Sequence, residues 1–214
     1  GKEKMFSLLP ESPGLTVLEV GCGEGVASVQ LAYRGLSVVG IDLSPKAIEA
    51  ARRRASVNGV RVEFQVGNIE RDQLPAGQFD VIWCDLILHH VVPSLPTVME
   101  QIEKALKPGG LFIAREPIAY APWLKTIRKF VPVRVPTTPD EQPFRPSEFA
   151  IVEQFFPDLK RQYFRILARL DRVVGNLDVL AALARLDRMI LVVPGTSSLA
   201  GNAVMWAKKA PGVE

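Results

Sequence analysis

Residues 19–25, with the sequence Glu-Val-Gly-Cys-Gly-Glu-Gly, decide the fold of this chain. They end Thr16–Val20, an apolar run typical of a buried strand, and precede Val26–Arg34, whose apolar spacing predicts a helix. Glycines between a strand and a helix let the chain turn tightly and let a ligand approach the backbone. The stretch therefore predicts the first βα unit of an α/β protein, with a ligand-binding turn after its first strand.

The alternation of short apolar runs with helical periods continues to about residue 116, which predicts a parallel sheet built from βαβ units. The further predicted strands are Ser37–Ile41, Val60–Val66, Phe79–Cys84 and Leu111–Ala114, and the further predicted helices begin at Ser44 and Leu95. Lys107–Gly110 predicts a turn. Apolar and polar residues alternate in the third strand, so we expect that strand at an edge of the sheet.

The pattern changes after Glu116, where seven prolines fall within residues 117–146. So long a proline-rich connection is typical of a lid or a binding loop. A sixth strand is predicted at Tyr163–Leu170, a helix at about residues 177–192, and a last strand at Ala203–Lys208. We therefore expect one domain of residues 1–214, with a ligand-binding first half (1–116) and a second half (117–214) on the substrate side.

The predicted helix of the second half carries an apolar stripe with arginines beside it. The stripe consists of Leu177, Leu180, Leu183, Leu186 and Ile190, and the arginines are Arg185 and Arg188. An amphipathic helix of this kind either covers the sheet or forms the inner face of a lid. In the second interpretation its basic rim suits a lipid-like or anionic group, and contact with a membrane surface is allowed but not required.

The composition is that of a globular protein, with 48% hydrophobic and 23% charged residues in 214. Its two cysteines imply no disulfide framework, which favours a cytoplasmic location, and we expect no signal peptide and no membrane span. Residues 1–116 carry 12 basic and 14 acidic side chains, whereas residues 117–214 carry 14 and 9. This asymmetry indicates an anionic partner or only a solvated basic surface. No metal site is predicted, and the oligomeric state is left open.

The glycine turn does not fit a dinucleotide fingerprint, which requires a glycine where this chain has Val26. Glu19 and Glu24 would also repel a diphosphate, whereas they suit a ligand that carries positive charge. Asp42 ends the second strand, where a carboxylate can accept hydrogen bonds from both hydroxyls of a ribose. The alternative is that Asp42 caps the next helix, but Ser44 is better placed for that cap.

Five motifs in order resemble the class I S-adenosylmethionine-dependent methyltransferases, and in particular their small-molecule branch, the type 11/12-like enzymes. The motifs are Glu19–Gly25, Asp42, Gly67–Glu70, Phe79–Cys84 and Leu106–Gly110. The resemblance covers about residues 14–116. It implies a doubly wound, Rossmann-like sheet of seven strands in the order 3-2-1-4-5-7-6, with strand 7 antiparallel, and S-adenosylmethionine as the cofactor. Relatives often carry more helix before the first strand, so we expect either a truncated chain or a cofactor cover that comes from elsewhere.

The resemblance also assigns roles to residues. The methionine part of the cofactor is expected at Glu19, Gly21, Cys22, Gly23 and Gly25, and the ribose at Asp42. The adenine is expected between Leu43 and Ile69, with Asn68 standing where the family usually has Asp. An amide oxygen can still accept the bond from the adenine amino group, and Glu70 could share that role. Cys84, Asp85 and Leu86 are expected to line the pocket floor near the transferred methyl group.

Candidate catalytic residues lie where strands four and five end, at the sheet edge that binds ligands in open α/β folds. An oxygen nucleophile needs its proton removed, and His89, His90 and Glu116 are the candidate bases. The alternative is that each histidine only stabilises a loop. The resemblance thus predicts methyl transfer to a small-molecule acceptor.

Three other functions compete with this prediction. Enzymes that methylate amino groups of nucleic-acid bases resemble one another in an Asn/Asp-Pro-Pro-aromatic motif after strand four. At that place this chain has Cys-Asp-Leu-Ile, at residues 84–87. Cytosine-C5 methyltransferases resemble one another in a nucleophilic cysteine that directly follows a proline. In this chain neither Cys22 nor Cys84 follows a proline. These differences argue against a nucleic-acid substrate. A non-catalytic member that binds the cofactor and a nicotinamide-dependent oxidoreductase are the remaining alternatives.

Overall fold

The computed structural model describes residues 1–118, 143–164, 176–193 and 195–212, and within them seven strands form one mixed sheet. The strands are β1 (Thr16–Val20), β2 (Ser37–Asp42), β3 (Glu63–Val66), β4 (Phe79–Asp85), β5 (Leu106–Pro117), β6 (Lys160–Phe164) and β7 (Asn202–Lys208). Their order is β3-β2-β1-β4-β5-β7-β6. Strand β7 runs antiparallel to both β5 and β6, and the other neighbours are parallel. The predicted order and the edge position of the third strand are confirmed.

Helices cover both faces of this sheet. The helices of the described residues are α1 (Lys2–Ser7), α2 (Val26–Ala32), α3 (Pro45–Val57), α4 (Leu95–Ala105), α5 (Pro146–Phe155) and α6 (Leu177–Ile190), with 3₁₀ turns at Leu88–His90, Val92–Ser94 and Thr196–Leu199. The cap of α3 is the predicted one, because the backbone N–H of Ala47 donates to Oγ of Ser44 at 3.2 Å.

Alternate residues of the central strands supply two separate cores. Leu18, Ile82 and Phe112 face the side covered by α4 and α5. Their neighbours Val17 and Trp83 face the other side, with residues of α1 and α2. Phe6 of α1 packs on Trp83 with ring centroids 4.8 Å apart. The central strands are therefore apolar on both faces, as the continuous apolar runs in the sequence predict.

Parallel pairing brings the ends of β1, β2, β4 and β5 to one edge of the sheet. Val20 pairs with Ile41 on one side and with Cys84 on the other, and Cys84 pairs with Ala114. The residues that follow these four strands thus lie next to one another, although they are far apart in sequence. We call this the carboxyl edge.

Three strands differ from their predicted bounds by more than one residue. Strand β3 begins at Glu63 because the N–H of Val60 still donates to the carbonyl of Ala55, in the turn that ends α3. Strand β5 begins at Leu106, and the predicted turn Lys107–Gly110 is an irregularity within it, between the pairs Phe79–Leu106 and Val81–Leu111. Strand β6 covers Lys160–Phe164, since it pairs with Asn202–Trp206 of β7. The rest of the predicted sixth strand, residues 165–170, lies outside the described residues.

Residues 119–142, most of the predicted lid, also lie outside the described residues. The structure does describe their two flanks, because Ile118 and Phe144 form a bridge and the N–H of Phe144 donates to the carbonyl of Pro117 at 2.8 Å. The lid itself stays a prediction. In α6, Leu180, Leu183 and Ile190 are half-buried and Leu186 is 45% exposed. In the described part of the chain, no helix combines the length and the hydropathy that crossing a bilayer requires.

Candidate functional site

The glycine turn after β1 depends on left-handed backbone at Gly21, Gly23 and Gly25, with φ of 67°, 51° and 75°. A Cβ on Gly21 would lie 2.6 Å from Cγ1 of Ile87, so Gly21 lets the residues after β4 pack on the turn. A Cβ on Gly23 would meet no atom within 4 Å. A Cβ on Gly25 would lie 2.9 Å from side-chain atoms of Ala51 and Phe64. Two positions of the turn are therefore closed by protein, and the space beside Gly23 is open.

Asp42 connects this turn to the end of β2. Its Oδ2 accepts a hydrogen bond from the N–H of Gly23 at 2.8 Å, and its Oδ1 accepts one from the N–H of Ser44 at 2.9 Å. The carboxylate is thus held in place by two backbone groups. A carboxylate oxygen accepts more than one hydrogen bond, so Asp42 retains capacity for a ribose.

Glu19 is buried beneath the turn, where its Oε2 accepts a short hydrogen bond from the hydroxyl of Ser28 in α2. Burial raises the pKa of Glu19 to about 8, so the side chain is mostly protonated at neutral pH. Glu24 is exposed and pairs with Arg54 at 3.1 Å. The turn therefore carries less negative charge than the sequence predicts, because the sequence does not reveal the burial of Glu19.

The residues expected near an adenine lie at the ends of β2 and β3. Leu43 is 67% exposed, whereas Ile69 is buried in the core beside α4. Oδ1 of Asn68 accepts from the N–H of Glu70 at 2.9 Å, and the N–H of Asn68 donates to Oδ2 of Asp72 at 2.6 Å. Asn68 is thus fixed in an Asx turn, which uses one lone pair of its oxygen.

Glu70 itself turns toward α4. Its Oε1 accepts a hydrogen bond from the hydroxyl of Ser94 at 2.5 Å. The contact joins the loop after β3 to the segment that leads from β4 to α4. Glu70 therefore connects two loops of the carboxyl edge.

The three residues at the end of β4 point in different directions. Cys84 is fully buried among apolar residues. Asp85 forms an ion pair with Nε of Arg115 at 2.6 Å and lies 3.6 Å from Nζ of Lys2. Leu86 is 38% exposed and has a φ of 63°, the one left-handed value found at a non-glycine residue within the described ranges. Of the three, Leu86 is the side chain most open to a ligand.

Both cysteines are free, as the sequence predicts, and the structure shows that both are buried. Burial raises the pKa of Cys22 to about 12 and that of Cys84 well above its usual value. Cys22 packs with Ile48 and Phe64 near α3, whereas Cys84 belongs to the core beside α4. The two thiols therefore lie in separate cores, although their strands are adjacent.

Glu116 and His89 meet in the interior of the carboxyl edge. Nδ1 of His89 lies 2.7 Å from Oε2 of Glu116, and the Glu116 side chain is fully buried. The rings of His89 and His90 are also in contact, with centroids 4.1 Å apart. The structure thus brings all three candidate bases together, although 26 positions separate His90 from Glu116.

Sequence reasoning missed several partners of the expected site residues. They are Ser28, Asp72, Ser94 and Arg115, which contact Glu19, Asn68, Glu70 and Asp85. A usable signal existed for Arg115 alone, since a charged residue directly after the apolar run Leu111–Ala114 suggests a partner on the neighbouring strand.

The described residues fit S-adenosylmethionine. The space beside Cα of Gly23 is open, the Asp42 carboxylate is held next to this residue, and exposed Leu43 offers an apolar surface to a planar base. With the sheet order 3-2-1-4-5-7-6, this arrangement defines a class I methyltransferase fold. A family profile described as "Methyltransferase domain" matches residues 11–134. The chain belongs to this family, the S-adenosylmethionine-dependent methyltransferases of class I.

Known relatives agree with this assignment. The chain is 37% identical to an uncharacterized methyltransferase of Synechocystis sp. over 118 residues, which is 52% of this chain and 54% of that protein. It is 42% identical to the ubiquinone biosynthesis O-methyltransferase of Idiomarina loihiensis over 99 residues, or 45% of this chain and 40% of that protein. The chain thus spans about half the length of the curated relatives it matches.

The solved structure of phosphoethanolamine N-methyltransferase 2 from Haemonchus contortus superposes with a TM-score of 0.68. The sequence identity is 18%, and the match covers 99% of this chain and 53% of that one. At this identity the similarity establishes the fold alone.

Proposed function

We propose that this chain transfers the methyl group of S-adenosylmethionine to a small-molecule acceptor bound at the carboxyl edge. The observation that carries the proposal is the hydrogen bond between Asp42 and the N–H of Gly23, which joins the glycine turn after β1 to the end of β2. The His89–Glu116 pair lies at the same edge, after the neighbouring strands β4 and β5. Cofactor and acceptor sites would then be adjacent.

Each part of the cofactor has candidate partners in this proposal. The backbone of Gly21–Gly25 would hold the methionine part, Asp42 the ribose, and Leu43 and Asn68 the adenine. When bound, the cofactor supplies an electrophilic methyl group on a sulfonium. The chain would contribute alignment, exclusion of water and, for an acceptor that carries a proton, a base.

The acceptor class rests on the relatives and on the residues after β4. A relative of 42% identity is named as a ubiquinone biosynthesis O-methyltransferase, which supports a small organic acceptor. The segment 84–87 reads Cys-Asp-Leu-Ile and lacks the motif of amino-methylating nucleic-acid enzymes, which argues against that substrate. Two buried, free cysteines are consistent with the proposed cytoplasmic location.

Two measurements test the proposal in sequence. Isothermal titration with S-adenosylhomocysteine should give binding that NAD does not compete for. Metabolite extracts should then be incubated with the protein and methyl-labelled cofactor, and mass spectrometry should find a product heavier by one labelled methyl group. Heat-inactivated protein is the control. Absence of cofactor binding would refute the proposal, and binding without any methylated product would favour a non-catalytic member.

A further inference from the structure

Helix α6 and the turn that follows it present an apolar surface to solvent. Between residues 179 and 193, the exposed side chains that the structure describes belong to eight apolar residues and one arginine. They are Val179, Ala181, Ala182, Ala184, Arg185, Leu186, Met189, Val192 and Val193. Met189 is 70% exposed and Val192 is 81% exposed. We call this set the α6 surface.

One face of α6 is turned toward the rest of the protein. Its buried and half-buried side chains recur every three or four positions, and they are Leu180, Leu183, Asp187 and Ile190. Val179, Leu186 and Met189 have the same spacing one position earlier, so they form a second stripe on the adjacent face. A helix that packs on one side is usually polar on its other faces. Packing within the described part of the chain therefore does not explain the second stripe.

The connection that contains α6 begins and ends at the carboxyl edge. Phe164, the last residue of β6, pairs with Asn202, the first residue of β7, and Asn202 also pairs with Pro117 at the end of β5. The N–H of Gly201 donates to the carbonyl of Phe164 at 2.9 Å. Both ends of the connection are thus held at the sheet edge where open α/β folds bind their ligands.

The charge of the α6 surface is positive. Arg185 is its one charged member, whereas Asp187 is buried and Asp178 lies in the first turn, at the other end of the helix from Met189. In the sequence, residues 165–201 contain five arginines, three aspartates, no lysine and no glutamate. A guanidinium group is weakly hydrated and matches the geometry of a phosphate. The surface therefore combines an apolar face with the cation that suits a lipid phosphate.

The size and the shape of the α6 surface favour a bilayer over a protein partner. A helix rises about 1.5 Å per residue, so the surface is roughly 20 Å long and one helix wide. A stable protein interface buries about 800 Å² on each partner, which is more than one helix face of this length offers. An amphipathic helix instead binds a bilayer with its apolar face in the head-group boundary, where no complementary groove is needed.

We propose that the α6 surface docks on a bilayer that contains anionic lipids and brings the carboxyl edge to an acceptor dissolved in that bilayer. Met189 and Val192 enter the head-group boundary, and Arg185 binds lipid phosphate. The statement about the acceptor rests on the proposed methyl transfer, whereas the docking itself does not.

Sedimentation of the full chain with vesicles tests the docking without knowledge of the acceptor. We expect the wild-type protein to bind vesicles of phosphatidylcholine mixed with phosphatidylglycerol. Val192→Asp should lower this affinity by about tenfold or more, since burial of one valine side chain contributes that much. Val57→Asp is the matched control, because Val57 is a valine of α3 that is 87% exposed. Failure of the wild-type protein to bind these vesicles would overturn the proposal, whether or not the variants fold.

A fluorescent label shows which surface enters the lipid. Both native cysteines are buried, so a polarity-sensitive maleimide dye reacts selectively with a cysteine introduced by Val192→Cys or by Val57→Cys. When the same vesicles are added, we expect the emission of the dye to shift to shorter wavelength in Val192→Cys alone. Equal emission shifts at the two positions, or none at Val192→Cys, would contradict docking through α6.

The role of the arginine is tested by Arg185→Gln. It should weaken binding to the anionic vesicles by about fivefold, the usual contribution of one arginine at such a surface. Binding to vesicles of phosphatidylcholine alone should not change. Arg53→Gln is the control, since Arg53 is an exposed arginine of α3. Equal effects of the two substitutions would refute the specific contact of Arg185 with lipid phosphate.

Light scattering and methyl labelling separate the remaining outcomes. A dimer that Val192→Asp dissociates, without vesicle binding by the wild type, would show that a second copy covers the α6 surface and would overturn the proposal. With labelled S-adenosylmethionine and a dispersed total lipid extract, we expect the label in the lipid phase, and less of it for Val192→Asp. Label found only in water-soluble products would refute the lipid-dissolved acceptor. Failure to bind S-adenosylhomocysteine would refute the proposed function, while vesicle binding would still support the docking.

Discussion

Oδ2 of Asp42 accepts a hydrogen bond from the backbone N–H of Gly23 at 2.8 Å, so the acid that ends β2 also fixes the turn that follows β1. Asp42→Ala removes this contact and the proposed ribose acceptor together. We expect binding of S-adenosylhomocysteine to weaken by about 1–3 kcal/mol, the usual loss for hydrogen bonds to a charged group.

Isothermal titration measures this change, with Glu49→Ala as control because Glu49 is an exposed acid on the neighbouring helix α3. Circular dichroism should show that both variants are folded. If Asp42→Ala binds S-adenosylhomocysteine as tightly as the wild type does, Asp42 is not a cofactor-binding residue.

Gly21 and Gly23 form a matched pair for a test of packing at the turn. Both have left-handed backbone, so an alanine at either position costs about 1–2 kcal/mol of conformational strain. Only at Gly21 would the new Cβ collide with Ile87, at 2.6 Å. We expect Gly21→Ala to lose a further 1–3 kcal/mol or so of unfolding free energy through overpacking.

Urea unfolding of the two variants measures that difference. The double variant Gly21→Ala/Ile87→Ala should recover part of the loss specific to Gly21, because it removes the atoms in collision. Equal destabilisation by the two single alanine variants would show that Ile87 does not press on the turn.

Glu19 should make the stability of the protein depend on pH. In the unfolded chain its carboxyl loses the proton near its ordinary pKa of 4.5, whereas in the folded protein burial raises the pKa to about 8. Between these values the folded state binds more protons than the unfolded state. The contribution of Glu19 to stability is therefore fully present below pH 4.5 and is lost as pH rises toward 8.

The variant Glu19→Gln should lack this decline, so its stability relative to wild type should rise between pH 5 and pH 8. Urea unfolding at several pH values measures the difference. Glu24→Gln is the control, since Glu24 lies in the same turn but is exposed. Parallel curves for wild type and Glu19→Gln would mean that Glu19 is ionised in the folded protein.

The two cysteines should resist alkylation in the folded protein, because both thiols are buried and the thiolate is the reactive form. Burial raises the pKa of Cys22 to about 12, so little thiolate is present at pH 8. Cys84 should react only when the protein unfolds. Addition of S-adenosylhomocysteine should slow Cys22 further if the glycine turn binds it.

Mass spectrometry of iodoacetamide labelling follows both sites, and Cys22→Ala and Cys84→Ala separate their rates. Labelling of the protein unfolded in urea gives the reference rate for fully accessible thiols. Rapid reaction of Cys84 under native conditions would contradict its burial.

The sequence predicted most of the fold, because the signals for it are local. A βαβ rhythm, glycines at the exit of a strand and the Ser44–Pro45 helix start each lie within a few residues. The alternation in residues 60–66 also predicted which strand lies at the edge. The predicted ends of strands were less accurate, because hydrogen bonds to neighbouring segments decide where a strand begins. Strand β3 begins at Glu63, since the N–H of Val60 is still bonded within the turn that ends α3.

By itself, then, the sequence determined the α/β class, the order of elements and the types of residue that reach the carboxyl edge. Only the tertiary structure decided what those residues contact. Glu116 binds the turn at Ile87–His89, and Arg115 binds Asp85, across 27 to 30 positions of the chain. The sequence predicts that Glu19 carries negative charge at the ligand-binding turn, whereas in the folded protein it is buried and burial raises its pKa to about 8. Partner choice and burial arise when distant strands pair, and no local pattern of residue types encodes the distance between two side chains.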